Sequence, residues 1–134
     1  MSLAFSASPD VHEPLGTYSH IVACPAGASL VYISGQVPVR PDGTWPASFA
    51  DQADQVFANI AAHLASAGID PADVVKVNSY IVDHDGDPSA LLRARSKHLG
   101  DHRPAATGIL IAGLINPEWK LEVEVVAMRP SSAP

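Results

Sequence analysis

Trp119-Lys120-Leu121-Glu122-Val123-Glu124-Val125-Val126-Ala127-Met128 reads as a β-strand with two unlike faces. Trp119, Leu121, Val123, Val125 and Ala127 alternate with Lys120, Glu122 and Glu124, so one face is apolar and the other begins polar. The strand before it, expected over residues 106–115, behaves differently. Gly108-Ile109-Leu110-Ile111-Ala112 shows no alternation, which predicts burial on both of its faces. Asn116-Pro117 separates the two strands.

Working backward, residues 48–67 predict a helix. Phe49, Ala53, Val56, Phe57, Ile60 and Leu64 form one stripe at the helical period. Ser48 followed by Asp51 resembles a capping box, and Gly68 supplies the stop. Residues 74–83 read as a strand with Val75, Val77 and Ile81 on one face and Lys76, Asn78 and Tyr80 on the other. Asp87-Pro88 is read as an N-cap with proline in the first turn of a second helix, which runs to Leu99 and ends at Gly100. Arg93, Arg95 and Lys97 lie toward its C-terminal half, where the macrodipole favours cations. Nearer the start, residues 20–24 and 30–34 are short strand-like runs joined by Pro25-Ala26-Gly27, a hairpin signal. Residues 1–17 read as an extended arm and 36–46 as a loop holding three prolines. The expected order is thus ββαβαββ, an α+β domain over residues 1–134. Two helices cover one face of a four- or five-stranded sheet. Nothing in the chain is left for the other face, so a homo-oligomer packed sheet to sheet is expected.

Composition bounds the function. Of 134 residues, 47% are hydrophobic and 16% charged, too apolar for a disordered chain. The net charge of −6 argues against nucleic acid as a partner, since phosphate binding demands a basic footprint. The one basic cluster is Arg93, Arg95 and Lys97, with His98 and Arg103 nearby. No apolar run reaches membrane-spanning length and no signal-peptide order stands at the N terminus, so a cytoplasmic protein without membrane contact is expected. The single cysteine, Cys24, precludes an internal disulfide and is read as a packing residue. Asp83-His84-Asp85-Gly86-Asp87 superficially suggests a calcium loop, but its glycine comes fourth and Ala94 stands where the closing Glu belongs. Neither scattered histidines nor one cysteine make a metal cage, and no phosphate-binding or dinucleotide motif occurs, so no metal and no cofactor are expected. Glu122 and Glu124 have two readings that the pattern leaves open. They are a solvated polar face, or carboxylates partly buried in an interface and available for acid–base work.

Several short segments, in this order over residues 14–129, resemble the RidA/YjgF family, also called L-PSP-type endoribonucleases or Rid imine deaminases. They are Leu15-Gly16-Thr17-Tyr18-Ser19, Ile33-Ser34-Gly35-Gln36-Val37-Pro38, Gln55-Val56-Phe57-Ala58-Asn59-Ile60, Arg103-Pro104-Ala105 and Leu121-Glu122-Val123-Glu124. The resemblance implies a chorismate-mutase-like fold, a homotrimer with sheets facing inward, and small-molecule sites in the clefts between subunits. It further implies hydrolysis of reactive imines or enamines, in which an arginine forks onto the substrate carboxylate and a glutamate holds the attacking water. An iminium carbon is already electrophilic, so this chemistry calls for no metal.

Carried over by position, Glu122 and Tyr18 fall at catalytic places. Ser34, Gly35, Ser89, Arg103, Ala106 and Thr107 fall at substrate-binding ones. The departure is at Ala106, where the family carries the carboxylate-binding arginine, and Gly108 replaces a frequent cysteine. Loss of a charged hydrogen-bonding partner costs roughly 1.5–3 kcal/mol, so an altered substrate preference is expected. On a continuous strand Arg103 would face away from position 106, whereas a loop or bulge there would let it substitute. The resemblance also makes residues 114–119 a longer turn than usual and sets Trp119 at the cleft rim. Two functional readings follow: an imine or enamine deaminase of altered preference, or a non-catalytic trimeric ligand binder. A ribonuclease conflicts with the charge.

Overall fold

A computed structural model describes residues 2–131; Met1 and residues 132–134, at the ends of the expected domain, lie outside it. The elements are β1 (Ala4–Ser6), β2 (Ile21–Ala23), β3 (Ser29–Gln36), α1 (Phe49–Ser66), β4 (Val74–Ile81), α2 (Ser89–Leu99), β5 (Ala105–Leu110) and β6 (Leu121–Arg129), with a 3-10 turn at Pro71–Asp73.

The stripe read along α1 is its buried face. Val56, Phe57, Ile60 and Leu64 have no exposed surface and join Val77, Ile81, Leu121, Val123, Val125 and Ala127 in one core cluster. Each such side chain contributes about 1.5–3 kcal/mol on burial. The Ser48 side chain accepts a hydrogen bond from the Asp51 amide, as the capping pattern requires. Gly68 follows the helix at φ 71°, a backbone region that side chains disfavour. α2 begins one residue later than expected. Pro88 is its cap residue, and Asp87 serves from just outside by accepting from the Ser89 amide at 2.9 Å.

The main sheet has the order β3-β6-β4-β5. β6 is the inner strand, antiparallel to both β3 and β4, while β5 runs parallel to β4 at the edge. Both helices lie over one face, giving the expected α+β arrangement.

Three expectations need correction. β2 pairs with β1 in a separate two-stranded ribbon, Phe5 opposite Val22, so 20–24 and 30–34 do not form a hairpin and the arm supplies a strand of its own. A register shift between Val74 and Lys76 puts Val74, rather than Val75, into the core. β5 stops at Leu110, and its second half is not buried on either face within the chain: Ile109 and Leu110 are 44% and 67% exposed. An apolar run states that a strand wants covering, not that its own chain covers it.

Candidate functional site

Glu122 is set by three neighbouring features. It is opposite Tyr80 on β4, on the face away from the helices, because its neighbours Leu121 and Val123 belong to the core. On its other side, the β3–β6 register slips between Ile33 and Gln36, making a bulge of Ser34 and Gly35. The Glu122 side chain crosses that bulge. A Cβ on Gly35 would stand 2.8 Å from Glu122 Cδ and overlap the carboxylate oxygen, so only glycine leaves the carboxylate this path. The Gln36 side-chain amide donates to the Ser34 carbonyl at 3.0 Å, and its oxygen meets His63 Nε2 at 3.1 Å, tying the bulge to α1. Asn59 donates to the Val37 and Val39 carbonyls and holds the next loop. Among the described residues the Glu122 carboxylate has no hydrogen-bond partner, so its lone pairs are open to water or a ligand.

Glu124 is differently placed. Tyr80 Oη and Asn78 Nδ2 both donate to its Oε1, at 2.7 and 3.1 Å. These bonds stabilise the anion and hold the Glu124 carboxyl below its ordinary value, the Tyr80 bond first; the same bond and the nearby carboxylates push the Tyr80 phenol up. Of the two glutamates, Glu124 is committed to a structural pair and Glu122 is not.

The remaining candidates gather elsewhere. Ser19 docks the Tyr18 segment onto the residues before β5, its hydroxyl donating to the Arg103 carbonyl at 2.6 Å and its amide to Pro104 at 3.1 Å. Tyr18 Oη accepts from the Leu15 amide, and its ring meets His20 edge-on at 5.5 Å. Arg103 precedes β5, so the loop alternative holds and the continuous strand does not. With Ser89, Thr17 and Arg95 it lines a cavity of about 540 Å³ beside α2. Within that cavity Arg95 Nη2 donates to Thr17 Oγ1 at 2.8 Å and to the Thr17 carbonyl. The sequence had marked Arg95 as a cation suited to a helix C-terminus and a member of the one basic cluster, not as a site residue; its place in the cavity depends on the arm folding back.

Ala106 and Thr107 point to opposite faces. Ala106 sits opposite Val77, a core residue, and therefore faces the helices. Thr107 is on the open face, where Lys76 Nζ donates to its hydroxyl at 2.8 Å. Val77 and Tyr80 are the β4 partners of Ala106 and Glu122, which separates those two by about 10 Å along the strands and about 10 Å across them. A single copy thus brings Glu122, Ser34 and Gly35 together at one place and Tyr18, Ser89 and Arg103 near another. Trp119 packs edge-on against Trp45 with ring centroids 5.9 Å apart, and its indole N–H is buried without a partner among the described residues.

Among the described residues no three His, Cys, Asp or Glu side chains converge as a metal site would need. His98 and His102 have the four-residue spacing of a helical metal pair, but Gly100 ends α2 between them. His98 bonds Asp54 and His102 faces the Val74 carbonyl. Cys24 is a free, half-buried thiol. No helix among the described residues is long and apolar enough to cross a membrane.

Residues 9–129 match the endoribonuclease L-PSP family. A RutC family protein of Pyrococcus horikoshii is 30% identical over 119 residues, covering 87% of this chain and 90% of that one. The mitochondrial protein Mmf1 of Saccharomyces cerevisiae is 33% identical over 102 residues, covering 75% and 68%. Among solved structures, YyfB of Yersinia pestis, a Rid family protein, superposes with a TM-score of 0.85 at 27% identity over 96% of this chain and 100% of that one. Escherichia coli TdcF with bound serine gives a TM-score of 0.68 at 27% identity, covering 95% and 99%. The chain therefore belongs to the endoribonuclease L-PSP family, the RidA/YjgF group that its motifs resemble.

Proposed function

We propose that this chain acts as one domain and assembles into a homotrimer in the cytosol, where it hydrolyses a reactive imine or enamine to the carbonyl compound and ammonia. The observation that carries the reading is Glu122: a carboxylate led across a glycine bulge, with no hydrogen-bond partner among the described residues, on the sheet face that the helices leave bare. In the proposed step water adds to the imine carbon, and Glu122 takes the proton that water gives up. The proton passes to nitrogen to complete a carbinolamine; its hydroxyl then gives up its own proton, by way of Glu122, to that nitrogen, and the C–N bond breaks as C=O forms and ammonia leaves.

Assembly follows from the same face. Leu30, Tyr32 and Ile109 expose apolar surface there, and the two halves of the expected site are too far apart in one copy to touch one small molecule. A neighbouring copy laid against the sheet covers the patch and brings its own half to Glu122. Among relatives, TdcF, a candidate reactive intermediate deaminase of Escherichia coli, is 31% identical over 105 residues. Ala106 in place of an arginine supports an altered substrate preference.

Generating 2-iminobutanoate in situ tests the chemistry through the rate of 2-oxobutanoate release. Wild type is expected to exceed the uncatalysed rate, and Glu122→Gln to fall by about 10²-fold or more. No acceleration for this imine or for uncharged imines would leave the non-catalytic binder as the reading. A monomer by light scattering would refute the shared cleft.

A further inference from the structure

β3 changes face near its end. Val31 and Ile33 pack toward the core, and an uninterrupted strand would turn Gln36 to the opposite, open side. Three steps along β3, from Ile33 to Gln36, are matched by only two on β6, from Val125 to Val123, so one extra residue is taken up at Ser34 and Gly35. Gln36 is thereby set opposite Val123, a core residue, and its side chain emerges toward α1. A one-residue slip of β3 would send Gln36 back to the open face and remove the bulge that Glu122 crosses.

Polar side chains of α1 meet this end of the strand. Gln55, Asn59 and His63 stand four residues apart and so share one face of the helix. Gln55 donates to Asn59 Oδ1 at 2.8 Å, and Asn59 donates to the Val37 and Val39 carbonyls at 3.1 and 3.0 Å. His63 completes the ladder, its Nε2 standing 3.1 Å from Gln36 Oε1. The direction of that bond is forced. Gln36 Nε2 donates to the Ser34 carbonyl inside the bulge, which leaves Oε1 to face His63, and an amide oxygen only accepts. His63 therefore carries a proton on Nε2, and donation runs from His63 through Gln36 to Ser34.

We infer that Gln36 and His63 are positioning residues for Glu122, which select the bulged register of β3 and with it the path of the carboxylate across Gly35. Both act from the helix side of the sheet, while Glu122 works on the open side. The effect on turnover rests on the proposed role of Glu122; the lock on the register does not.

The test pairs 2-iminobutanoate hydrolysis with NMR of the same proteins, reading amide exchange at residues 34–36 and the Glu122 carboxyl carbon resonance. Gln36→Met keeps the length of the side chain and loses both bonds. It is expected to lower kcat about tenfold while KM rises no more than about twofold, to speed exchange at the bulge and to move the Glu122 resonance. Gln36→Glu, which accepts from His63 but has no donor for Ser34, should fall as far. His63 is exposed, so His63→Phe should lower kcat only about threefold, and His63→Gln, which donates from a similar reach, should restore it. Ile60→Val trims the core under the same helix and should leave kcat within about twofold and the bulge unchanged. Thermal melts show which variants stay folded, and the exposed His63 pair keeps the test open if Gln36→Met does not. Wild-type exchange with an unmoved Glu122 resonance in folded Gln36→Met, or no recovery in His63→Gln, would overturn the inference. A loosened bulge in a protein whose wild type hydrolyses no imine refutes the proposed function and keeps the lock. Imine hydrolysis at the wild-type rate in folded Gln36→Met and His63→Phe refutes the positioning role and keeps the function.

Discussion

Gly35→Ala separates the role of Glu122 from the stability of the fold. Gly35 does not lie in the left-handed region, so alanine meets no backbone strain there. What it meets is Glu122, with the new Cβ 2.8 Å from Cδ and 3.0 Å from Cγ and overlapping the carboxylate oxygen. The contact involves the far end of a flexible side chain on the open face, so it is relieved by turning Glu122 to another rotamer. That adjustment costs about 0.5–1.5 kcal/mol, and the loss of glycine's freedom in the unfolded chain returns about 0.4–1 kcal/mol. Net stability should change by less than about 1 kcal/mol, a melting shift of only a few degrees at this size. Activity should respond quite differently. Moving a working group by an ångström or more costs about 10²-fold in rate, equivalent to about 2.7 kcal/mol of barrier. The assay pairs initial rates of 2-iminobutanoate hydrolysis with a thermal melt of the same preparation. A folded Gly35→Ala protein with wild-type turnover would show that the carboxylate over the bulge is not the working group. A collapse of the melting temperature would show that the overlap is not relieved by Glu122.

Gln52 should be a keystone of stability, since its fully buried side chain donates to the Pro46 and Glu118 carbonyls and accepts from the Lys120 amide. Gln52→Leu strands those groups and is expected to cost about 3 kcal/mol, read by denaturant unfolding; a loss under about 1 kcal/mol would contradict this. Tyr80→Phe removes the principal bond on Glu124, so the Glu124 carboxyl should rise toward its ordinary value in a carbon-detected NMR titration. Because that carboxyl is depressed in the fold, the pair's contribution is present above the ordinary glutamate value and is lost as pH falls through the folded one. Because the phenol is raised, the contribution is also lost as pH climbs through the folded tyrosine value, and Tyr80→Phe should flatten both limbs. Tyr32→Glu places a charge on the bare sheet face, where Tyr32 is 73% exposed in the single chain. It should break the assembly without unfolding the subunit, and unchanged light scattering would argue that this face is not the interface.

Where the sequence was legible, the signal was local. The stripe from Phe49 to Leu64, the Ser48 cap, the Gly68 stop and the alternation from Leu121 to Ala127 each record which side of one element meets the core, and solvent enforces that residue by residue. The same alternation set Glu122 and Glu124 on one face together. It could not tell the free carboxylate from the one held by Tyr80 and Asn78, because that depends on which strand lies alongside. Strand partnership is not written in periodicity. Residues 20–24 and 30–34 look like hairpin neighbours, yet β2 takes β1, and β6 enters between β3 and β4. The strand expected from residue 106 already left Arg103 ahead of β5, but spacing could not show that its loop lies beside Arg95. Periodicity thus determined what each element buries. Only tertiary structure decided which polar groups meet, because pairing and chain reversal bring together residues whose separation along the chain carries no trace of it.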